Sequence, residues 1–420
     1  MSMNLKMGLI ILLVLAASAS SIAVAASPSP GEEKEDGFTL QIFGNANMDE
    51  QIDDADKDLL EEIIAGSKVP TNLSDANQDG KIDSSDIDLV DRLLNHELAN
   101  ITIIDSANRT VSLEIPVESF AGLHTSPCRE FMMLGIDDRV VGVTNYVFDD
   151  PDLYPRLLDK TNIGTIYEPN YEAIATAKPD VLIMTPGSYI EPVLSMVEPM
   201  GIKVLGLNLN KADYDSELML LGYISGKPDR AWAFLDWKKE TLDMIAERTK
   251  DFDDDKRLRV FSATMSSILK GDKELSPSLI GQHQIIDKAG AVNVADEIPT
   301  GSKVDGEWIL EQDPDSIIVA SYFVKEGFGY TVLNDTIAWE SLRTVVESDI
   351  LNQTRAAREG KIYILGYYGT ASGGQDPIGA AYLAKRFYPD LFQDLDPSQL
   401  QKEYFEEWLS IPNRGLWAYP

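Results

Sequence analysis

From residue 101 onward, short apolar runs alternate with helix-spaced segments, and a single long helical stretch breaks the alternation once. Nothing else in the chain restricts the fold as strongly. Apolar runs at 119–123, 140–143, 181–184 and 204–207 each end in a polar or aromatic loop and lead into helical spacing. A second set stands at 258–262, 316–320 and 361–365. Strands alternating with helices indicate an α/β fold with a mainly parallel sheet, whose ligands sit at the carboxyl ends of the strands. Between the two sets, residues 214–250 carry Leu218, Leu221, Ile224, Phe234, Leu235, Leu242 and Ile245 at helical spacings, which predicts one long bridging helix. The expected fold class is therefore α/β, with two Rossmann-like lobes (101–213 and 256–420) bridged by a long helix and a cleft between them.

A smaller, acidic region precedes the lobes. The formal net charge is −33, which excludes a nucleic-acid partner because phosphate would be repelled. Residues 31–99 hold 19 acidic and 5 basic residues, and this concentration has a local cause. Two twelve-residue loops recur with a period of 30 residues. In the second, Asp75, Asn77, Asp79, the backbone carbonyl of Lys81, Asp83 and Asp86 occupy the oxygen positions of a calcium loop, with Gly80 at the sharp turn. In the first, the matching positions are Asn45, Asn47, Asp49, Gln51 (through its carbonyl), Asp53 and Asp56. Glu50 stands where glycine is preferred and neutral Asn45 at position 1, so this loop is the weaker site. Each loop leads into one amphipathic helix, making residues 38–98 a small all-α module that would take two Ca2+ ions to fold.

This duplicated pattern resembles a type I dockerin, a calcium-folded module that docks on cohesin domains. The resemblance implies a cohesin partner, recognised through Asp54-Ala55 and Ser84-Ser85. Residues 1–25 read as a signal peptide, with Lys6, the apolar run 8–17 and Ala23-Val24-Ala25 at the cleavage site, followed by a linker at 26–37. The chain is thus expected to be exported.

Within the large region, Ile101-Thr-Ile-Ile-Asp-Ser-Ala-Asn-Arg-Thr-Val, Val140-Val-Gly-Val, Pro169-Asn-Tyr-Glu-Ala-Ile…Lys178-Pro-Asp and Tyr388-Pro-Asp-Leu-Phe resemble the ABC-transporter substrate-binding proteins for ferric siderophores, haem and vitamin B12. The resemblance spans residues 101–410. It implies capture of a metal chelate and delivery to an ABC-transporter permease. Strand-end loops offer His124, Thr125, Ser126, Tyr146, Tyr167, Ser188 and Tyr189 on the first lobe, and His283, Trp308, Tyr322, Tyr367 and Tyr368 on the second. Aromatics at polar loop ends suit a flat, partly apolar chelate. His124 and His283 are candidates for axial metal ligation, although a hydrogen-bonded structural histidine is the commoner case. The family meets transporter arginines with one exposed glutamate per lobe, and loop position matches these to Glu191 and Glu326.

Enzyme readings are weaker. Gly369-Thr-Ala-Ser-Gly-Gly lacks the Gly-Lys-Ser/Thr ending of a phosphate-binding loop, and neither a serine nucleophile elbow nor a zinc-protease motif occurs. The one cysteine, Cys128, forbids an internal disulfide. No catalytic cofactor is expected, and a monomer suffices for capture. The alternative is a secreted, dockerin-bearing, polysaccharide-active enzyme.

Overall fold

Helix starts in the acidic module are written into the loops themselves. The computed structural model describes residues 37–209, 213–253, 255–277, 285–299 and 301–420; the signal peptide and all but the last residue of the expected linker lie outside them. Helix α1 (Asp54–Ile64) is capped by Asp53 and α2 (Ser84–Leu94) by Asp83. Asp56 and Asp86 close the reciprocal half of each capping box, so the last acidic position of each loop also fixes its helix.

The module is not a separate bead. Strand β1 (Ala99–Ile104) pairs antiparallel with β2 (Thr110–Ile115), and residues 41–43 lie along β1's free side. Phe43 N–H donates to Thr102 O at 2.9 Å and Ile104 N–H to Gln41 O at 3.0 Å. The Tyr223 hydroxyl accepts from Ile52 N–H at 2.9 Å, and Phe38 stacks on Trp232 with ring centroids 6.4 Å apart. One apolar core runs from Leu40, Ile52 and Leu60 through Ile101 and Phe120 to Leu221. Residues 38–420 accordingly form one unit.

Lobe 1 is built on β3 (Phe120–Gly122), β4 (Val140–Val143), β5 (Thr161–Asn162), β6 (Val181–Met184) and β7 (Lys203–Gly206). They form a five-stranded sheet in the order β5-β4-β3-β6-β7, with every pairing parallel. β6 is buried on both faces, as its unbroken apolar run requires. Between β3 and β4 runs α3 (Thr125–Leu134), and α4 (Tyr171–Ala177) and α5 (Ile190–Val197) flank β6. Gly122 is needed at the end of β3 because a Cβ there would lie 2.9 Å from Cys128 Sγ. Cys128 is fully buried, and burial pushes its thiol up to about 12, so it is a packing residue.

The bridging segment departs from the sequence expectation. In place of one helix at 214–250 there are two, α6 (Tyr214–Ser225) and α7 (Pro228–Thr249). Gly226 adopts φ +66° as the C-cap of α6, and Pro228 opens α7 at its first turn. Glycine after a helix and proline at the next start form the usual punctuation. The 22 residues of α7 extend about 33 Å.

Lobe 2 contains β8 (Arg259–Thr264), β9 (Glu274–Leu275), β10 (Val292–Asn293), β11 (Val304–Asp305), β12 (Ser316–Ser321), β13 (Ile362–Gly366) and β14 (Ala418–Tyr419). Its main sheet runs β10-β8-β12-β13-β14, parallel except for β14, which the carboxyl-terminal tail adds antiparallel. β9 and β11 form a separate antiparallel pair. Apolar clusters cover both faces of the main sheet. Among the described residues, no helix is long and apolar enough to cross a membrane.

Candidate ligand-binding cleft

The carboxyl ends of the two sheets open onto one cavity of about 520 Å³. His124 and Thr125 follow β3, Tyr146 follows β4 and Tyr167 follows β5; Tyr322 follows β12, and Tyr367 and Tyr368 follow β13. All seven line this cavity. The structure adds lining residues that loop position did not single out: Arg129, Asp149, Asp150, Tyr154, Tyr330 and Trp417. On the lobe 2 wall the rings of Tyr322 and Tyr367 are 4.8 Å apart, and Tyr368 meets Tyr367 edge-on at 5.3 Å. Such rings present flat apolar faces with polar tips.

Electrostatics make this wall a donor surface. Burial raises the phenols of Tyr367 and Tyr368, keeping them protonated at neutral pH. Burial, with the Arg129 charge adding to it, pushes His124 down to about 4, so its imidazole is neutral. Arg129 is 4% exposed. Its Nε lies 3.5 Å from Glu130 Oε1, and one Nη donates to Ser372 Oγ at 3.3 Å. Glu130 in turn accepts from the Tyr214 hydroxyl at 2.8 Å. Arg129 is thus a buried guanidinium paired with Glu130 beneath the lobe 1 wall, and Asp149 and Asp150 add carboxylates to the same cavity.

Not every expected site residue gathers here. Ser126 is buried beneath His124 with its Oγ 2.8 Å from Nδ1. Tyr189 is outside the lining but contacts Tyr167 edge-on at 5.1 Å, and Ser188 is exposed beside it. His283 lies outside the described residues. Trp308 is misplaced by the sequence reading: it sits on the helix Gly306–Gln312 and packs against Phe261 in the lobe 2 core. Glu326 is also corrected. It is 2% exposed and accepts from Ser321 Oγ at 2.8 Å and Tyr322 N–H at 3.1 Å. It therefore folds inward to pin the β12 loop rather than standing exposed on the surface. Glu191 is exposed in the first turn of α5, beside a groove shared with Asn108, Arg109 and Asn208.

The two acidic loops differ in how far they satisfy themselves. In the first, amide nitrogens do a cation's work: Asn47 donates to Asp49 at 2.7 Å, Gln51 to Asp53 at 2.8 Å, and Asn45 to the carbonyls of Leu40 and Asp49. Burial, opposed by two backbone hydrogen bonds and assisted by Asp49 and Asp53, raises Asp56 to about 6. In the second, Asp75 receives Asp79 N–H and Gly80 N–H, Asp79 receives Lys81 N–H, and Asp86 receives Asn77 N–H and Asp83 N–H. Backbone amides orient these three carboxylates without side-chain amide donors on them. Among the described residues, no three His, Cys, Asp or Glu side chains converge tightly enough to hold a metal by themselves.

A family model described as periplasmic binding protein matches residues 121–368. The chain belongs to the periplasmic binding protein family. That match covers the lobe 1 sheet, the helices α6 and α7, and lobe 2 as far as the end of β13. The molybdate-binding protein MolA of Haemophilus influenzae is 24% identical over 349 residues, 74% of this chain and 91% of that protein. The uncharacterised ABC transporter substrate-binding lipoprotein YvrC of Bacillus subtilis is 22% identical over 303 residues, 71% of this chain and 88% of that one. Among solved structures, the TroA-like periplasmic binding protein FepB of Veillonella parvula shares the fold, with a TM-score of 0.63 at 19% identity over 76% of this chain and 99% of that chain. As a periplasmic binding protein, the chain is the substrate-binding part of an ABC transporter, and its relatives are transport proteins rather than enzymes.

Proposed function

We propose that the protein captures a metal chelate (a ferric siderophore, corrinoid or haem) in the interlobe cleft outside the cytoplasm and delivers it to the permease of an ABC importer. One observation carries this reading: the cavity is walled largely by the rings of Tyr146, Tyr167, Tyr322, Tyr367 and Tyr368, with few carboxylates, Asp149 and Asp150. A bare cation needs several converging oxygen, nitrogen or sulfur lone pairs, whereas mainly aromatic walls suit a ligand whose metal is already wrapped. The volume of about 520 Å³ lies in the range of pockets for organic ligands. MolA is named for molybdate, and a small oxyanion is the second reading, favoured by the buried Arg129. Such an anion would leave most of the cavity to water. Glu191 serves as the exposed lobe 1 contact to the permease.

The acidic module binds calcium in this reading, most strongly at the second loop, where Asp75, Asp79, Asp83 and Asp86 with Asn77 and the Lys81 carbonyl would hold it. The ion would neutralise carboxylates that backbone amides and the Ser85 hydroxyl now face, and binding entails contraction of the loop. Asp54, Ala55, Ser84 and Ser85 are exposed, as docking on a cohesin-type partner would require.

The test is to purify the protein without refolding and record the absorbance and mass of whatever it retains. It is then titrated with ferric siderophores, haem, cobalamin and molybdate. Retention or micromolar binding of one chelate is expected; binding of molybdate alone would replace this reading with the second.

A further inference from the structure

We infer that the cleft holds a cation-accepting subsite, in which Asp150 and Asp149 receive a protonated amine arm of the captured chelate. This rests on the chelate reading proposed above and narrows it to chelates with a neutral metal core and a positively charged arm. Asp149 and Asp150 both line the cavity, in the turn that follows Tyr146. Asp149 N–H donates to Tyr146 O at 3.3 Å, and the Asp150 carbonyl accepts from Leu153 N–H at 3.1 Å and Tyr154 N–H at 3.2 Å, so backbone bonds hold the turn in place. Asp150 Oδ1 is buried and has no hydrogen-bond partner among the described residues. A buried acceptor left unmade is costly, and a ligand N–H would remove that cost.

The guanidinium groups nearby are already committed. Arg129 Nε lies 3.5 Å from Glu130 Oε1. Arg414 Nη2 lies 2.6 Å from Asp152 Oδ2, and its guanidinium sits over the Tyr330 ring, 4.6 Å from the centroid. Among the described residues, Asp149 and Asp150 have no such pairing. Burial raises the Asp150 carboxyl, and the Arg414 charge opposes this without a hydrogen bond to Oδ1. The surrounding rings favour the same occupant. Tyr154 and Tyr330 line the cavity with Asp150; burial raises both phenols, and the Asp150 charge adds to the rise in each. Aromatic faces attract cations, so carboxylates set among tyrosines suit an ammonium group. A polyanionic tris-catecholate would bring its charge against the same carboxylates, whereas a neutral ferric trihydroxamate core with a free amine arm would not.

The test uses the intact protein and one ferric trihydroxamate in two forms, with its amine arm free and with that arm acetylated. Acetylation removes the positive charge and leaves the metal core unchanged, so the pair isolates the subsite. In calorimetric titration the free amine should bind about tenfold tighter or more. Asp150→Asn keeps the side chain's shape and one acceptor oxygen. It should remove about that factor while the acetylated form's affinity and the melting temperature stay near wild type. Asp149→Asn, at an exposed position, should remove about threefold of the preference, and it keeps the test decisive if the first variant folds poorly. Equal affinity for the two forms in wild type, or a preference that survives both substitutions, would overturn the inference. Binding of a ferric tris-catecholate with neither trihydroxamate form bound would overturn the inference and leave the chelate reading standing. Binding of no ferric chelate at all would overturn both.

Discussion

Replacing Gly369 by alanine should push an indole into the cleft. A Cβ at this position would lie 2.2 Å from both Cδ2 and Cε3 of Trp417, about 1 Å short of ordinary contact. The ring has little room to retreat. It stacks on Phe405 at 5.8 Å, donates through Nε1 to Arg414 O at 3.1 Å, and its own carbonyl accepts from Gly366 N–H at 2.7 Å. The side left open is the cavity that Trp417 lines. Overpacking of this kind costs about 1–3 kcal/mol, which for a domain of this size lowers the melting temperature by a few degrees. A displaced ring also removes space from the cavity, so affinity for a bound chelate should fall about tenfold or more. Scanning calorimetry gives the first quantity and titration the second. Gly306→Ala is the control, since a Cβ there meets only Ile350 at 3.5 Å, and its melting and affinity should match wild type. If Gly369→Ala melts and binds like wild type, Trp417 is not wedged against the short helix Tyr367–Thr370 and the reasoning fails.

Other expectations follow from the buried charges and the loops. Burial raises Glu217 to about 7, with its Oε2 lacking a partner among the described residues. A raised carboxyl adds stability that is full below pH 4.5 and lost as the pH climbs through 7. Glu217→Gln should therefore flatten the decline in melting temperature between pH 5 and 8, a loss on the order of 2–3 kcal/mol in wild type; a parallel decline in the variant would contradict this. Chelation of calcium by EGTA should lower the melting temperature of wild type but not of Asp79→Ala, whereas Asp49→Ala keeps most of the response in calorimetry. Glu326→Ala should destabilise the fold by about 1–3 kcal/mol by removing the carboxylate to which Tyr322 N–H and Ser321 O–H donate. Glu191→Ala should leave melting and ligand affinity unchanged but reduce uptake in a reconstituted transporter.

The α/β plan was readable because parallel strands buried on both faces appear as unbroken apolar runs. The runs at 140–143 and 181–184 coincide with β4 and β6. Bridging helicity was equally legible in its spacing, but its break was not, although Gly226-Lys227-Pro228 carries the signal in plain view. Short pairings such as β10 and β14, two residues each, have no periodicity to detect. At the site, loop position placed seven expected residues in the lining but not Ser126, Ser188, Tyr189 or Trp308, and it put Glu326 on the surface when it is buried. Position along a loop says where a residue begins, and the direction of its side chain depends on neighbours such as Ser321 and Phe261. Arg129 was missed for a different reason. It sits with Glu130 inside a helix that is apolar on every side, from Cys128 to Leu134, and a charged pair in such a setting must be buried and paired. That pattern was available in the sequence.

Capture of a wrapped metal in the interlobe cleft is tested most directly by calorimetric titration of the intact protein with an amine-bearing ferric trihydroxamate, against free ferric, nickel and molybdate ions. Saturable binding of one chelate per chain, weakened by Tyr368→Ala and by Gly369→Ala, is the expected result. Binding of a free ion with no response to any chelate would contradict it.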